Sequence, residues 1–146
     1  MKDLHSFQTN IFPGFPTDLQ SPFAILQSQA FWTSRIHEVL FEWRLNFLVE
    51  LEKMNAKIAI LNPHEAIIFW PNKLKWTTVT SWDLRAGMAM IIAGLIAEGE
   101  TKVTNVEYIY RGYENFVEKL NNSYSIVTDH EGKRKTLRND KINKDG

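Results

Sequence analysis

Two stretches decide how this chain is read: PTDLQSPFAILQ at residues 16–27 and SWDLRAGMAMII at residues 81–92. Each places Asp-Leu, followed by Gln or Arg, at the head of an apolar segment with helical spacing. Asp18-Leu19-Gln20 aligns with Asp83-Leu84-Arg85 at an offset of 65 residues. Arg44 aligns with Arg111 at an offset of 67, and each arginine precedes a helix-like segment rich in Glu and Leu, VELEKM (49–54) and VEKLNN (117–122). A near-constant offset of this size is the mark of a duplicated supersecondary unit.

The flanking segments fill in that unit. Residues 3–10 read as a strand and 17–29 as a helix with Leu19, Phe23, Leu26 and Ala30 inward. TSRIHEV (33–39) reads as a strand, and 41–54 as a helix presenting Phe41, Leu45, Leu48 and Leu51 on one face with Phe47 beside them. KIAIL and EAIIFW are two strands joined at Asn62-Pro63-His64. A second pass follows: WTTVTSW as a strand, a helix over 83–98 stopped by Gly99, TKVTNV as a strand, a helix over 112–121 and YSIV as a strand. The expectation is an α/β chain with the order β-α-β-α-β-β followed by much of the same again, in units spanning about 3–70 and 76–127. The polar residues 128–146, DHEGKRKTLRNDKINKDG from Asp129 on, show no apolar period and are expected to be a solvated tail.

Composition narrows the function. The chain has 146 residues with formal charge zero, so the basic face of a nucleic-acid binder is not expected. Cysteine is absent, which removes disulfides, thiolate nucleophiles and cysteine metal sites, and fits a reducing compartment. The longest apolar run, Ala86–Ala97, falls short of the ~18–20 residues a bilayer span needs. No basic-then-apolar leader opens the chain, and a cytoplasmic location is expected. The four histidines have no ligand spacing, and no phosphate-binding glycine loop or serine elbow is present, so neither metal nor cofactor is expected.

What remains is carboxylates and guanidinium groups. An aspartate in the first turn of a helix is ordinarily a match to the helix dipole worth ~0.3–1 kcal/mol, and Thr17 and Ser81 read as ordinary N-caps. The alternative is that the helix starts converge and present Asp18, Asp83 and Arg85 with Arg44 and Arg111. Such a set suits an anionic substrate, held by planar bidentate donors, and a proton transfer from a hydroxyl.

The motifs FPGFPTDLQ, HEVLFEWRLNFLVELEKM, DLRAGMAMIIAGLIAEGET and YRGYENFVEKL resemble the C-terminal part of the enolpyruvyl transferase family, over about residues 9–122. PGFPTDLQ and RGYE point to its cell-wall branch, which acts on UDP-N-acetylglucosamine, over its shikimate-pathway branch. The resemblance implies an inside-out α/β barrel of β-α-β-α-β-β units in two domains, with the site in the cleft between them. It implies transfer of the enolpyruvyl group of phosphoenolpyruvate to the sugar 3-hydroxyl, through a tetrahedral intermediate, at the start of peptidoglycan synthesis. By resemblance Asp18 is the general-base candidate, the Leu40 backbone contacts the nucleotide sugar, and Arg44, Arg85 and Arg111 surround phosphoenolpyruvate. Asp83 is the acidic partner in the DLR motif. A non-catalytic module binding an anion or a partner through the same arginines is the reading from another class.

The resemblance also marks what is absent. The family's mobile loop with its general acid, further phosphoenolpyruvate contacts and most uridine contacts belong to an earlier part of such enzymes. The N-terminal part of the same enzyme is therefore the expected partner, and the 146-residue chain alone is expected to be inactive. Trp32, Trp70 and Trp76 fall where the family has glycine, and are expected to clash, stand exposed or strain the backbone. Asn55, another such position, suits a left-handed helix C-cap.

Overall fold

The computed structural model of the chain describes residues 4–114, 116–121, 126–128 and 135–137. It divides into two compact units, Met1–Lys73 and Leu74–Gly146. The first runs β1 (Leu4–Gln8), α1 (Gln20–Ser28), β2 (Thr33–His37), α2 (Phe47–Lys53), β3 (Ile58–Asn62) and β4 (Glu65–Ile68). The second runs β5 (Thr78–Thr80), α3 (Leu84–Ile96), β6 (Thr101–Thr104), α4 (Glu107–Gly112), α5 (Phe116–Asn121), β7 (Ile126–Thr128) and β8 (Lys135–Leu137). The sheets are ordered β1-β2-β4-β3 and β5-β6-β8-β7. In each, the first two strands pair in parallel and the rest antiparallel. The duplication expected from the motif offsets is thus a duplication of topology.

Connection lengths explain the pattern. Parallel neighbours need a crossover of a dozen or more residues, which residues 9–32 supply through α1, whereas Pro63-His64 is a two-residue connection that makes β3 and β4 antiparallel. Register then fixes the faces. Ser34 lies opposite Ile68 and Ile36 opposite Ala66, and all four are buried. Phe47, Leu48 and Leu51 of α2, Ala24 and Ile25 of α1, and Leu45, Met54 and Ala56 in the flanking turns are buried with them. Fully burying one such Leu or Ile is worth ~1.5–3 kcal/mol. Arg35, out of phase, shows the other face and donates to Glu65 at 2.6 Å.

Four expectations change. The inward face of α1 is Gln20, Ser21, Ala24, Ile25 and Ser28, while Leu19 and Leu26 are exposed. The large residues drew the reading off by one position, whereas Gln20, Ala24 and Ser28, at i, i+4 and i+8, form the buried row. The helix expected over 41–54 begins only at a 3-10 turn, Arg44–Asn46, because Trp43 sits in the left-handed region at φ 60°. The helix expected over 112–121 is two, since Tyr113 is extended (φ −130°, ψ 114°). Lys135–Leu137, assigned to a solvated tail, pairs with β6 and β7; a three-residue strand is too short to display a period. The rest of residues 129–146 lies outside the described residues.

Of the tryptophans, Trp76 stands exposed as expected, whereas none of Trp32, Trp70 and Trp76 takes a positive φ. Positive φ at non-glycine residues is confined, among the described residues, to Trp43, Asn55 and Asn105. Trp32 donates its indole N–H to Gln27 at 3.0 Å and its ring meets His5, so it is accommodated. Trp70 faces Phe31, and Trp76 is exposed. Strain therefore falls on Trp43, not on those three. Asn55 does take the left-handed position after α2, at φ 72°.

No described helix is long and apolar enough to cross a membrane. The Arg35 hydrogen bond, with Asn62 and His37 nearby, holds the Glu65 carboxyl below its ordinary value against a smaller opposing effect of burial. A depressed folded-state value contributes stability above the ordinary glutamate value of about 4.3, lost as pH falls through the lowered value. An NMR titration should therefore find Glu65 titrating low in the chain and returning toward the ordinary range in R35M. An unchanged midpoint would contradict the pairing.

Candidate active site

The parallel pair in each unit brings two loops together at its carboxyl end, where open α/β sheets commonly bind ligands. In the first unit the loop after β1 is fixed from several sides. Phe15 packs against Phe7 of β1 and Phe23 of α1, at ring distances of 5.2 and 4.9 Å. Gly14 is required because a Cβ there would lie 2.5 Å from the Asn10 Cβ. Buried Thr9 donates its amide to the His37 carbonyl at 2.9 Å and accepts the Val39 amide through Oγ1 at 3.0 Å. The loop thus delivers Thr17 and an exposed Asp18 to a 3-10 turn just ahead of α1.

The loop after β2 meets it there. The Glu38 side chain is fully buried; Oε1 accepts the Leu40 amide at 3.0 Å and Oε2 accepts the Thr17 hydroxyl at 2.9 Å. Arg44 donates through Nη1 to the same Thr17 oxygen at 2.6 Å, and its guanidinium lies 4.0 Å from the centre of the Phe41 ring. The β3–β4 turn clamps this loop: the Glu38 amide donates to the His64 carbonyl at 2.7 Å, the Trp43 amide donates to Pro63 at 3.2 Å, and His64 Nδ1 lies 2.6 Å from the Glu38 carbonyl. Asp18, Leu40 and Arg44, three of the residues expected in the site, are therefore held in one hydrogen-bonded neighbourhood. Thr17 works differently from expectation. Its hydroxyl caps nothing and links Glu38 to Arg44.

The second unit repeats the arrangement with different chemistry. The Ser81 amide donates to Thr104 at 3.0 Å, and Asn105 donates through Nδ2 to the Ser81 carbonyl at 2.8 Å, joining the loops after β5 and β6. Asp83 is itself the N-cap of α3: Oδ1 accepts the Arg85 and Ala86 amides at 2.8 and 2.9 Å. Ser81, expected as a cap, is buried and donates instead to the Asp83 carbonyl. Leu84 and Gly112 touch, since a Cβ on Gly112 would lie 2.5 Å from a Leu84 methyl. That contact sets Arg85 and Arg111, each one residue away, beside the same helix start. Arg111 is exposed in the last turn of α4, and Arg85 is half-buried. In the first unit the position matching Arg85 is Gln20, which is fully buried and presents no charge.

The sequence reading missed Glu38. A single buried carboxylate in a strand-like stretch carries no spacing signal, and only its cross-loop partners reveal it. Among the described residues no cluster of His and carboxylates is suited to a metal.

The family model for EPSP synthase (3-phosphoshikimate 1-carboxyvinyltransferase) matches residues 4–120. The chain belongs to this enolpyruvyl transferase family. It is 47% identical over 113 residues to UDP-N-acetylglucosamine 1-carboxyvinyltransferase 2 of Geobacillus kaustophilus, covering 77% of this chain and 26% of that relative. It is 50% identical over 109 residues to UDP-N-acetylglucosamine 1-carboxyvinyltransferase of Halothermothrix orenii, covering 75% and 26%. Its fold superposes on the enolpyruvyl transferase NikO from Streptomyces tendae with a TM-score of 0.74 at 27% identity, covering 83% of this chain and 28% of that one. EPSP synthase from Acinetobacter baumannii shares the fold, with a TM-score of 0.63 at 19% identity. The chain spans about a quarter of the length of the curated relatives it matches. Its two β-α-β-α-β-β units are accordingly part of an enolpyruvyl transferase domain.

Two substitutions test the local geometry. Asp83→Ala should cost about 1 kcal/mol in urea unfolding, whereas Asp83→Asn should stay within about half that, because Asn caps as well as Asp. Gly112→Ala should destabilise by ~1–3 kcal/mol despite the better helix propensity of Ala, because Leu84 occupies the space. A neutral or stabilised G112A would show that the Leu84 contact does not constrain Arg111.

Proposed function

We propose that the chain is part of an enzyme that transfers the enolpyruvyl group of phosphoenolpyruvate to the 3-hydroxyl of UDP-N-acetylglucosamine, the step that opens peptidoglycan synthesis. The supporting observation is the fixed Thr17-Asp18 turn beside Arg44, in a chain whose relatives at 43–50% identity carry that activity in their names. In this reading Asp18 accepts the 3-hydroxyl proton as the sugar oxygen bonds to C2 of phosphoenolpyruvate, while C3 gains a proton from a general acid outside this chain. The tetrahedral intermediate then loses phosphate as its C2–O bond breaks, and a proton leaves the new methyl group to restore the double bond. Arg44, Arg85 and Arg111 hold the phosphate and carboxylate through both stages, as bidentate donors suit. Asp83 fixes the helix start that carries Arg85, and the Leu40 backbone lies against the nucleotide sugar. The cleft is completed by the other part of the enzyme, in the cytoplasm; neither metal nor cofactor is needed.

The 146-residue chain alone should release no phosphate from phosphoenolpyruvate and UDP-N-acetylglucosamine. Grafted into the Geobacillus kaustophilus relative in place of the matching segment, it should support release that depends on UDP-N-acetylglucosamine, and Asp18→Asn should lower that ~10²–10⁴-fold. A folded graft that prefers shikimate 3-phosphate would assign the shikimate branch. One that turns over neither acceptor would leave an anion-binding module as the reading.

A further inference from the structure

We infer that Glu38 is a positioning residue of this site, acting through Thr17 on Arg44. The inference rests on the proposed function and extends it to a residue outside the anion-binding set. The Glu38 carboxylate is fully buried, yet among the described residues it forms no ion pair. A buried carboxylate is costly unless its oxygens are matched by hydrogen-bond donors. Here the donors are the Leu40 amide at 3.0 Å and the Thr17 hydroxyl at 2.9 Å. Once the hydroxyl proton points to Glu38, the Thr17 oxygen can only accept, and it accepts Arg44 Nη1 at 2.6 Å. One carboxylate therefore sets the direction of a two-bond chain that ends on the guanidinium, and holds the Leu40 backbone with its other oxygen. Phe41, 4.0 Å beneath the guanidinium, fixes the plane in which the remaining Arg44 donors lie.

This polarity assigns distinct roles. Removing the Thr17 hydroxyl frees Arg44 but leaves Leu40 held by Glu38. Removing the Glu38 carboxylate releases both. Retaining a hydroxyl at 17 preserves the chain. A residue that merely fills the core would not sort its variants in this way.

The test has two arms. In the 146-residue chain, hydrogen exchange at the Leu40 amide should speed at least tenfold in E38A and stay unchanged in T17V; equal protection in all three proteins overturns the inference. In the grafted transferase, T17V should raise KM for phosphoenolpyruvate about tenfold or more, with a much smaller effect on KM for UDP-N-acetylglucosamine, and T17S should restore it. In an R44A background T17V should add less than a twofold further loss, because residues acting in series are non-additive. A graft that turns over but loses activity equally and independently for T17V and R44A refutes the chain from Glu38 to Arg44 and leaves the proposed function intact. An unaltered graft with no turnover defeats the proposed function, and the inference with it.

Discussion

Parallel pairing of the first two strands is the constraint on which each unit depends. Because β1 and β2 run the same way, the chain leaves both at one edge, and the two following loops must meet there. The Thr9 amide bonding His37 and the Ser81 amide bonding Thr104 are the same device in the two copies. The residues expected in the site of the first unit, Asp18, Leu40 and Arg44, lie on the two loops that leave that junction, with Thr17 and Glu38 bonding the loops together. A helix crossover cannot be traded for a hairpin here without sending one loop to the opposite edge.

The copies have diverged in how they use that junction. In the second, a short-range cap suffices: Asp83 closes the first turn of α3 on its own, and a glycine lets the next helix lie against Leu84. In the first, no side chain caps α1, and the turn is instead fixed from across the sheet by a buried acid. A local cap costs little sequence and orders its own helix; a cross-loop bond orders two segments relative to each other. The second kind holds the turn of Thr17 and Asp18 against the loop that carries Arg44.

Trp43 shows the same tension between local and tertiary preference. A bulky residue with positive φ costs on the order of 1–2 kcal/mol locally. The clamp from Pro63 and His64 holds the loop in that shape, and the turn it makes is what starts the following 3-10 segment at Arg44. The clamp also explains why the helix begins later than apolar spacing suggests: Phe41, expected on its apolar face, lies ahead of it and is exposed, although Leu45, Phe47, Leu48 and Leu51 are buried as that spacing requires.

By itself the sequence determined the β-α-β-α-β-β order of the first unit, most of its repetition in the second, and the identity of the ionic residues. These are recorded in short-range patterns: alternation, helical spacing, Pro and Gly at turns, and a motif recurring at a near-constant offset. Tertiary structure alone decided which face of α1 is buried, that Asp83 rather than Ser81 is the cap, that Lys135–Leu137 completes a sheet, and that Glu38 reaches Thr17. Each of these depends on a partner far along the chain or on competition between adjacent residues for one contact. Local periodicity carries no information about either.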